Sequence, residues 1–212
     1  MNTELKVENK EVQRKHLKLI RAHQNNIVIS DMNLTDKFTK FEDSKLNESK
    51  TLLYEIKRKS KIYQRYARGR IVRVKFGVNV GSEFSGDHFA IVVSKKDTMM
   101  SPTLHVIPIT SKKHLKTLEL GNIIYNKKEI KKLEKLLETT TEAKKIKDIK
   151  NCIKFYDKRK NKNSYACIDH LKTISKLSIM NNINEYDYLP NLKCSSELMK
   201  KIDESIIKEY TI

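Results

Sequence analysis

Three short runs dominate the apolar pattern of the chain. Residues 69–76, 88–94 and 103–110 are rich in Val, Ile and Phe and are separated by polar loops, as expected of β-strands. Residues 71–76 mix alternation with continuous apolarity, which predicts a strand curving into a small barrel. Residues 95–102 form a turn that ends at Pro102, and residues 118–125, with Gly121-Asn122 inside, read as a further strand or hairpin. Residues 164–169 and 172–175 add two short strands. Residues 180–194 are polar, Asn-rich and contain Pro190, hence loop.

Helical spacing governs the rest. Ile130, Leu133, Leu136 and Leu137 form one stripe, and Ile146, Ile149, Ile153 and Tyr156 another. Thr139, Thr140 and Thr141 lie between the stripes, so residues 126–163 are expected to be a helical hairpin. Ser195 or Ser196 caps a last helix in which Leu198, Ile202 and Ile206 share a face. Upstream, Thr35 is a plausible N-cap for a helix over residues 35–67, which carries Phe38, Phe41, Leu46, Leu53, Ile56 and Tyr63. A break is expected near Asp43 and Ser44. This helix would pack on the domain or on a second copy, or bind an antagonist or RNA. Residues 4–23 place Leu5, Val12, Leu17 and Ile20 only partly on one side, and read equally as helix or as a mobile tail. The organisation expected is a helical extension over residues 1–67 and one domain over residues 68–212, interrupted by the hairpin at 126–163.

Composition narrows the partner. The 212 residues carry 44 Lys and Arg against 26 Asp and Glu, a formal charge of +18. Such a surplus opposes compaction and points to an anionic partner. Nucleic acid leads, because neutralising phosphates releases counterions, and an anionic membrane surface competes. No run approaches the roughly 18 apolar residues of a spanning helix, and residues 1–8 lack a signal peptide's apolar segment. Cys152, Cys167 and Cys194 are widely spaced and odd in number, which argues against disulfides or structural zinc and for a cytoplasmic protein.

Four of the five glycines, Gly69, Gly77, Gly81 and Gly86, fall within residues 69–86. That clustering marks backbone that bends sharply or approaches a ligand. The loop ends at Asp87-His88 and the third strand at Thr110-Ser111, groups suited to converge on a phosphate. His88, His105, His114 and His170 lack carboxylates at metal-ligand spacing, so no metal or other cofactor is expected. His105 and His114 read as structural.

At these residues the chain resembles the MazF/PemK ribonuclease toxins. Gly81-Ser82-Glu83 followed by residues 85–93 is similar to the family's Gly-Ser-Glu, Gly-rich turn, Arg-Pro and apolar strand. Residues 106–110 are similar to its strand ending in a catalytic Thr. Residues 164–174 are similar to its Ser-x-x-x-x-x-Gln-x-Arg-Thr-Ile segment, and residues 195–207 to its C-terminal helix. The resemblance spans residues 69–125 and 164–210. It implies an α+β fold, a small SH3-like (MazF/CcdB-type) β-barrel with a C-terminal helix, here with an inserted helical hairpin and an N-terminal helical extension. It also implies a homodimer, single-stranded RNA as substrate and a cognate antitoxin as partner.

By position, the family's catalytic Thr falls on Thr110 and its Arg on His88, with Phe89 in place of the Pro. Arginine offers permanent charge and a donor fork, whereas histidine titrates near neutrality and serves better as acid or base. Neighbours must then supply the lost cation, and Lys172, with Arg68 or Arg70, is nominated. Ser111, next to Thr110, is a candidate to share its role. Asp87 either orients the imidazole or caps the turn. Glu83 contacts a base edge or its own backbone. His170 and Lys172 stand where the family has Gln and Arg. Lys154, Lys158, Arg159, Lys160 and Lys162 form a basic cluster that is either solvated surface or an RNA-backbone contact, with Lys160 a substrate-binding candidate. The expected activity is metal-independent, sequence-selective RNA cleavage through 2′-OH attack. A CcdB-like gyrase poison and a catalytically silent nucleic-acid-binding module are the alternatives.

Overall fold

The longest strand, β3 (Thr103–Thr110), holds the sheet together. The computed structural model describes residues 2–32 and 34–211. Its other strands are β1 (Ile71–Lys75), β2 (Asp87–Val92), β4 (Thr117–Gly121), β5 (Ser164–Cys167) and β6 (Lys172–Ser175). All the pairings are antiparallel. β2 lies along Val106–Pro108 of β3, while β6 takes residues 103–106 on its other side and β5 takes only Ile109 and Thr110. The order is therefore β1-β2-β3-β5-β4, with β6 as a branch from β3. Among the described residues β1 and β4 do not pair, so the sheet is not closed into the expected barrel. Instead β1 meets single residues of the 176–193 segment, Val74 bridging Ile179 and Arg70 bridging Lys193.

The expected hairpin is present. Helix α3 (Lys127–Thr139) and helix α4 (Ala143–Asp157) are separated by Thr140, Thr141 and Glu142. The Asn126 side chain caps α3 by accepting from the amides of Lys128 and Glu129 at 3.0 and 3.3 Å. Ile149, Cys152 and Tyr156 of α4 are fully buried with Ile130 of α3 against Ile71, Ile91 and Ile107 of the sheet. Helix α5 (Ser196–Tyr210) adds Met199 and Ile202 to this core, and its cap is Ser195, whose Oγ accepts from Leu198 N at 3.2 Å. A second core lies between Val72, Val74 and Phe76 of the β1 region and Val92, Leu104, Val106 and Ile174.

The N-terminal region departs most from expectation. Helix α1 runs Asn2–Asp31, yet Val12, Leu17, Leu19, Ile20, Ile27 and Val28 are all exposed. The interruption expected at Asp43 and Ser44 falls earlier, at Thr39 and Lys40, between a 3-10 turn (Asp36–Phe38) and helix α2 (Phe41–Lys57). Glu42 and Asp43 sit in the first turn of α2, where the helix dipole favours carboxylates. The helix stops at Lys57 rather than 67. Arg58 turns extended, its guanidinium donates to the carbonyls of Ser60 and Ile62 and lies 4.3 Å from the Tyr63 ring centroid. The extended residues are then fixed by Tyr63 N to Met99 O and Tyr66 N to the Asp97 carboxylate, both at 2.8 Å. Asp97 in turn pairs with Lys176 at 2.7 Å, both side chains buried.

Candidate functional site

The glycine loop positions the first functional side chain. Gly77 and Gly86 have φ of +76° and +91°, values costly for any residue with a Cβ. Their reversal lets Gly86 N reach Gly77 O at 2.7 Å and Phe76 N reach Gly86 O at 2.9 Å, so the chain leaves β1 and re-enters at β2. Inside the loop the Asn79 amide donates to the carbonyls of Phe76 and Phe84 at 2.9 and 2.8 Å. From outside, Lys37 donates to the carbonyls of Asn79 and Gly81 at 2.8 and 2.7 Å. The loop is thus braced from within and from the N-terminal extension. Phe84 packs edge-on to Phe76, His88 and His170, its ring centroid 5.4, 4.5 and 5.5 Å from theirs.

His88 follows on β2, half-buried, opposite Val74 of β1. Burial pulls its pKa below the ordinary imidazole value, opposed by the backbone at Ile109 and Ser85 and by the Asp87 carboxylate. The ring is consequently neutral at pH 7. Thr110 ends β3, and its Oγ1 accepts from Lys112 N at 3.2 Å, which leaves the hydroxyl proton available for donation.

His88, Thr110 and Ser111 line one cleft of about 480 Å³. Phe89 and Phe155 supply apolar wall, and Lys40, Arg73, Lys158, Arg159 and Lys162 line it with a single carboxylate, Asp87. The sheet, the segment before α2, and the end of α4 with the turn after it contribute most of the lining, joined by Ile124 and Met180. This is a basic pocket with a neutral imidazole and a hydroxyl on its wall.

The other predicted residues lie elsewhere. Glu83 and Lys172 pair at 3.2 Å, tying the glycine loop to β6, and His170 touches the far partner of that group, Phe84. None of the three lines the cleft. Arg70 stacks 5.4 Å from the Tyr66 ring in a neighbouring cavity, and Arg68 donates to Val93 O and to the Asp203 carboxylate, so neither replaces the lost cation. Lys160 is exposed and outside the cleft lining; its neighbours Lys158, Arg159 and Lys162 face in. His105 is exposed beside Ser94, and His114 shapes the turn before β4 by hydrogen bonds with Thr117. Arg73 is the cleft residue missed by sequence reasoning. A single Arg inside a β-branched strand reads as an exposed position, yet its side chain is only 12% exposed.

Among the described residues no group of three or more His, Cys, Asp or Glu side chains is placed to hold a metal ion. No described helix is long and apolar enough to cross a membrane. The three cysteines are buried, which raises their thiol pKa values to about 11 for Cys152, about 12 for Cys167 and about 11 for Cys194. They are unreactive thiols packed in the core.

A mixed helix and antiparallel-sheet protein with a basic, hydroxyl- and imidazole-lined cleft is the class that fold and site define. Residues 67–150 match the family described as PemK-like, MazF-like toxin of type II toxin-antitoxin system. The matched stretch begins just before β1 and ends inside α4, so Phe155, Lys158, Arg159 and Lys162 lie beyond it. Among solved structures, the chain is similar to MazF (Form-I) from Deinococcus radiodurans. That likeness is 11% in identity with a TM-score of 0.37, over 69% of this chain and 96% of the other. No curated protein matches the chain.

Proposed function

We propose that the chain is a toxin of the matched family, a metal-independent endoribonuclease that cleaves single-stranded RNA by attack of a 2′-OH on the adjacent phosphate. The observation that carries the reading is the shared cleft, in which His88 and Thr110 stand among guanidinium and ammonium groups. Neutral His88 takes the 2′-OH proton as the 2′-oxygen bonds to phosphorus, and the burial that lowers its pKa keeps it in the accepting form at pH 7. The P–O5′ bond then breaks, and the leaving 5′-oxygen takes a proton back from the imidazolium directly or through water, leaving a 2′,3′-cyclic phosphate and a 5′-hydroxyl. Backbone at Ile109 and Ser85 lies against the ring and fixes its orientation in the cleft. Thr110 donates its hydroxyl to a non-bridging oxygen as charge accumulates on the phosphorane. Ser111 stands beside it as a second donor. Glu83 of the glycine loop, with His170 and Lys172 packed against that loop from the β5–β6 region, acts at one remove by fixing it, and bases of an unstacked strand are read along it. The same reading takes the open sheet as a variant of the SH3-like barrel, a second copy as dimer partner, a cognate antitoxin as antagonist, and the cytoplasm as the site of action.

The test is a synthetic RNA incubated with the purified chain in EDTA. Cleavage leaving a 2′,3′-cyclic phosphate supports the reading. Binding without cleavage favours a silent nucleic-acid-binding module, and growth arrest with neither favours a protein-directed poison.

A further inference from the structure

The cleft holds more buried positive charge than its carboxylates balance. Arg73 and Arg159 lie on the same aromatic ring, their guanidinium carbons 5.2 and 4.0 Å from the Phe155 centroid, and Arg159 is also 5.2 Å from that of Phe89. Arg159 Nη1 donates to Phe155 O, and no described carboxylate forms an ion pair with it. Burial, together with the charge of Arg73, depresses its pKa. Arg73 donates to Asn181 O and has Asp187 at 3.6 Å, a loose pair. That carboxylate already accepts from Tyr156 OH, Ile183 N and Leu189 N. The Arg73 Nε is buried with no hydrogen-bond partner. Arg159 has no described carboxylate partner and Arg73 shares an already engaged one, so two like charges on one ring leave the cleft favourable to an entering anion.

We propose that Arg73 and Arg159, held on Phe155, form a phosphodiester-binding site in the cleft, and that the inserted hairpin supplies the cation that His88 lacks. The inference rests on the ribonuclease reading and adds to it the groups that hold the substrate backbone. A planar fork matches the oxygens of a phosphate bidentately, which an ammonium cannot do. The aromatic face fixes each fork by cation–π contact before substrate arrives, so little order is lost on binding. The neutral imidazole then needs no charge of its own. The family-matched segment supplies the imidazole, the hydroxyl and Arg73, while Phe155 and Arg159 come from residues after it.

A fully 2′-O-methylated single-stranded RNA has no attacking hydroxyl and separates binding from cleavage. Its affinity for the full-length chain is measured by fluorescence anisotropy between about 50 and 200 mM salt, the range over which phosphate contacts are most visible. Arg159→Gln is expected to weaken binding roughly tenfold or more, the loss of one charge-assisted bond. It is also expected to flatten the slope of log K against log salt by about 0.7, the value for one single-strand phosphate. Arg159→Lys keeps the slope but loses affinity, because charge survives and the fork does not. Arg73→Lys behaves likewise where circular dichroism shows it folded. Lys144→Gln, in the first turn of α4 and far from Arg159 along the helix, changes neither. An unchanged slope and affinity in folded Arg159→Gln overturns the proposal, even where wild-type cleavage of unmodified RNA upholds the nuclease reading. Failure of the wild type to bind the strand overturns both.

Discussion

Asp187 is the polar centre on which the placement of the hairpin depends, and its removal gives the sharpest stability prediction. Its side chain is fully buried. It accepts from Tyr156 OH on α4, from Ile183 N at 2.8 Å and from Leu189 N at 3.0 Å, and it faces the Arg73 guanidinium at 3.6 Å. Burial, reinforced by the hydrogen bond to Asp187 and its charge, pushes the Tyr156 hydroxyl well above the ordinary phenol range, so it stays a donor. Asp187→Ala leaves two amides and a phenol without an acceptor and a buried guanidinium without a counter-charge. Breaking one partner of a buried ion pair costs about 3–5 kcal/mol, and each stranded donor about 1–3 kcal/mol more, partly recovered by water entering the new space. A loss of about 4 kcal/mol or more is expected, which for a chain of this size lowers Tm by roughly 10 °C. Asp187→Asn keeps one acceptor oxygen and should lose about half as much. Urea titration followed by circular dichroism and by tyrosine fluorescence measures both variants. A Cm for Asp187→Ala corresponding to less than about 1 kcal/mol would refute the reasoning, since that is the range of substitutions away from buried networks.

Three further outcomes follow from the loop and the imidazole. Because the His88 pKa is depressed in the folded state, the protein is fully stabilised above the unfolded imidazole value of about 6.5 and loses stability as pH falls below it toward the folded value. His88→Gln should abolish that acid limb in thermal melts taken at successive pH values; a limb unchanged in the variant would assign it to another group. Gly86→Ala meets only ordinary contact, with His88 Nε2 3.5 Å from the new Cβ, so its cost is the φ of +91° and should be about 1–3 kcal/mol. Denaturant titration reads it, and a neutral result would mean that the loop relaxes without strain. Lys37→Met removes the two bonds onto the loop carbonyls and should speed amide exchange within residues 77–86 severalfold while leaving global stability within about 1 kcal/mol. Unchanged exchange would show that the internal bonds of Asn79 suffice.

The strands of the sheet and the two hairpin helices were legible because each carries a period. Ile71, Val72 and Val74 face cores on both sides of β1, and Ile149 and Tyr156 recur at helical spacing on α4. The start of α5 was legible to within one residue, Ser195 or Ser196, and the structure puts the cap at Ser195. What could not be read was decided by contacts remote in sequence. The helix expected to reach residue 67 ends at Lys57 because Tyr63 and Tyr66 find partners at Met99 and Asp97, which no local propensity announces. Barrel closure was expected from the curvature of β1, yet the 176–193 segment meets β1 instead. Within the candidate site, His88, Thr110 and Ser111 sit at strand ends beside a loop, where sequence order alone brings them near one another. Arg73 and Arg159 needed the fold, since one hid in a strand and the other among lysines. Lys160 was favoured over Arg159 only because nothing in a basic run tells which side chain turns inward. Lys172, expected to face the substrate, spends its charge on Glu83.

The central claim is that the His88 imidazole and the Thr110 hydroxyl serve the same phosphodiester in the same step. Single-turnover cleavage of an unmodified RNA in EDTA by the wild type, His88→Ala, Thr110→Ala and the double variant tests it directly. Each single variant should lose roughly 10²-fold or more in rate, and the double variant should be hardly slower than the worse single one, as for groups acting as a unit. Rates within a factor of about two of wild type in either single variant, or losses that simply multiply as for independent sites, would contradict it.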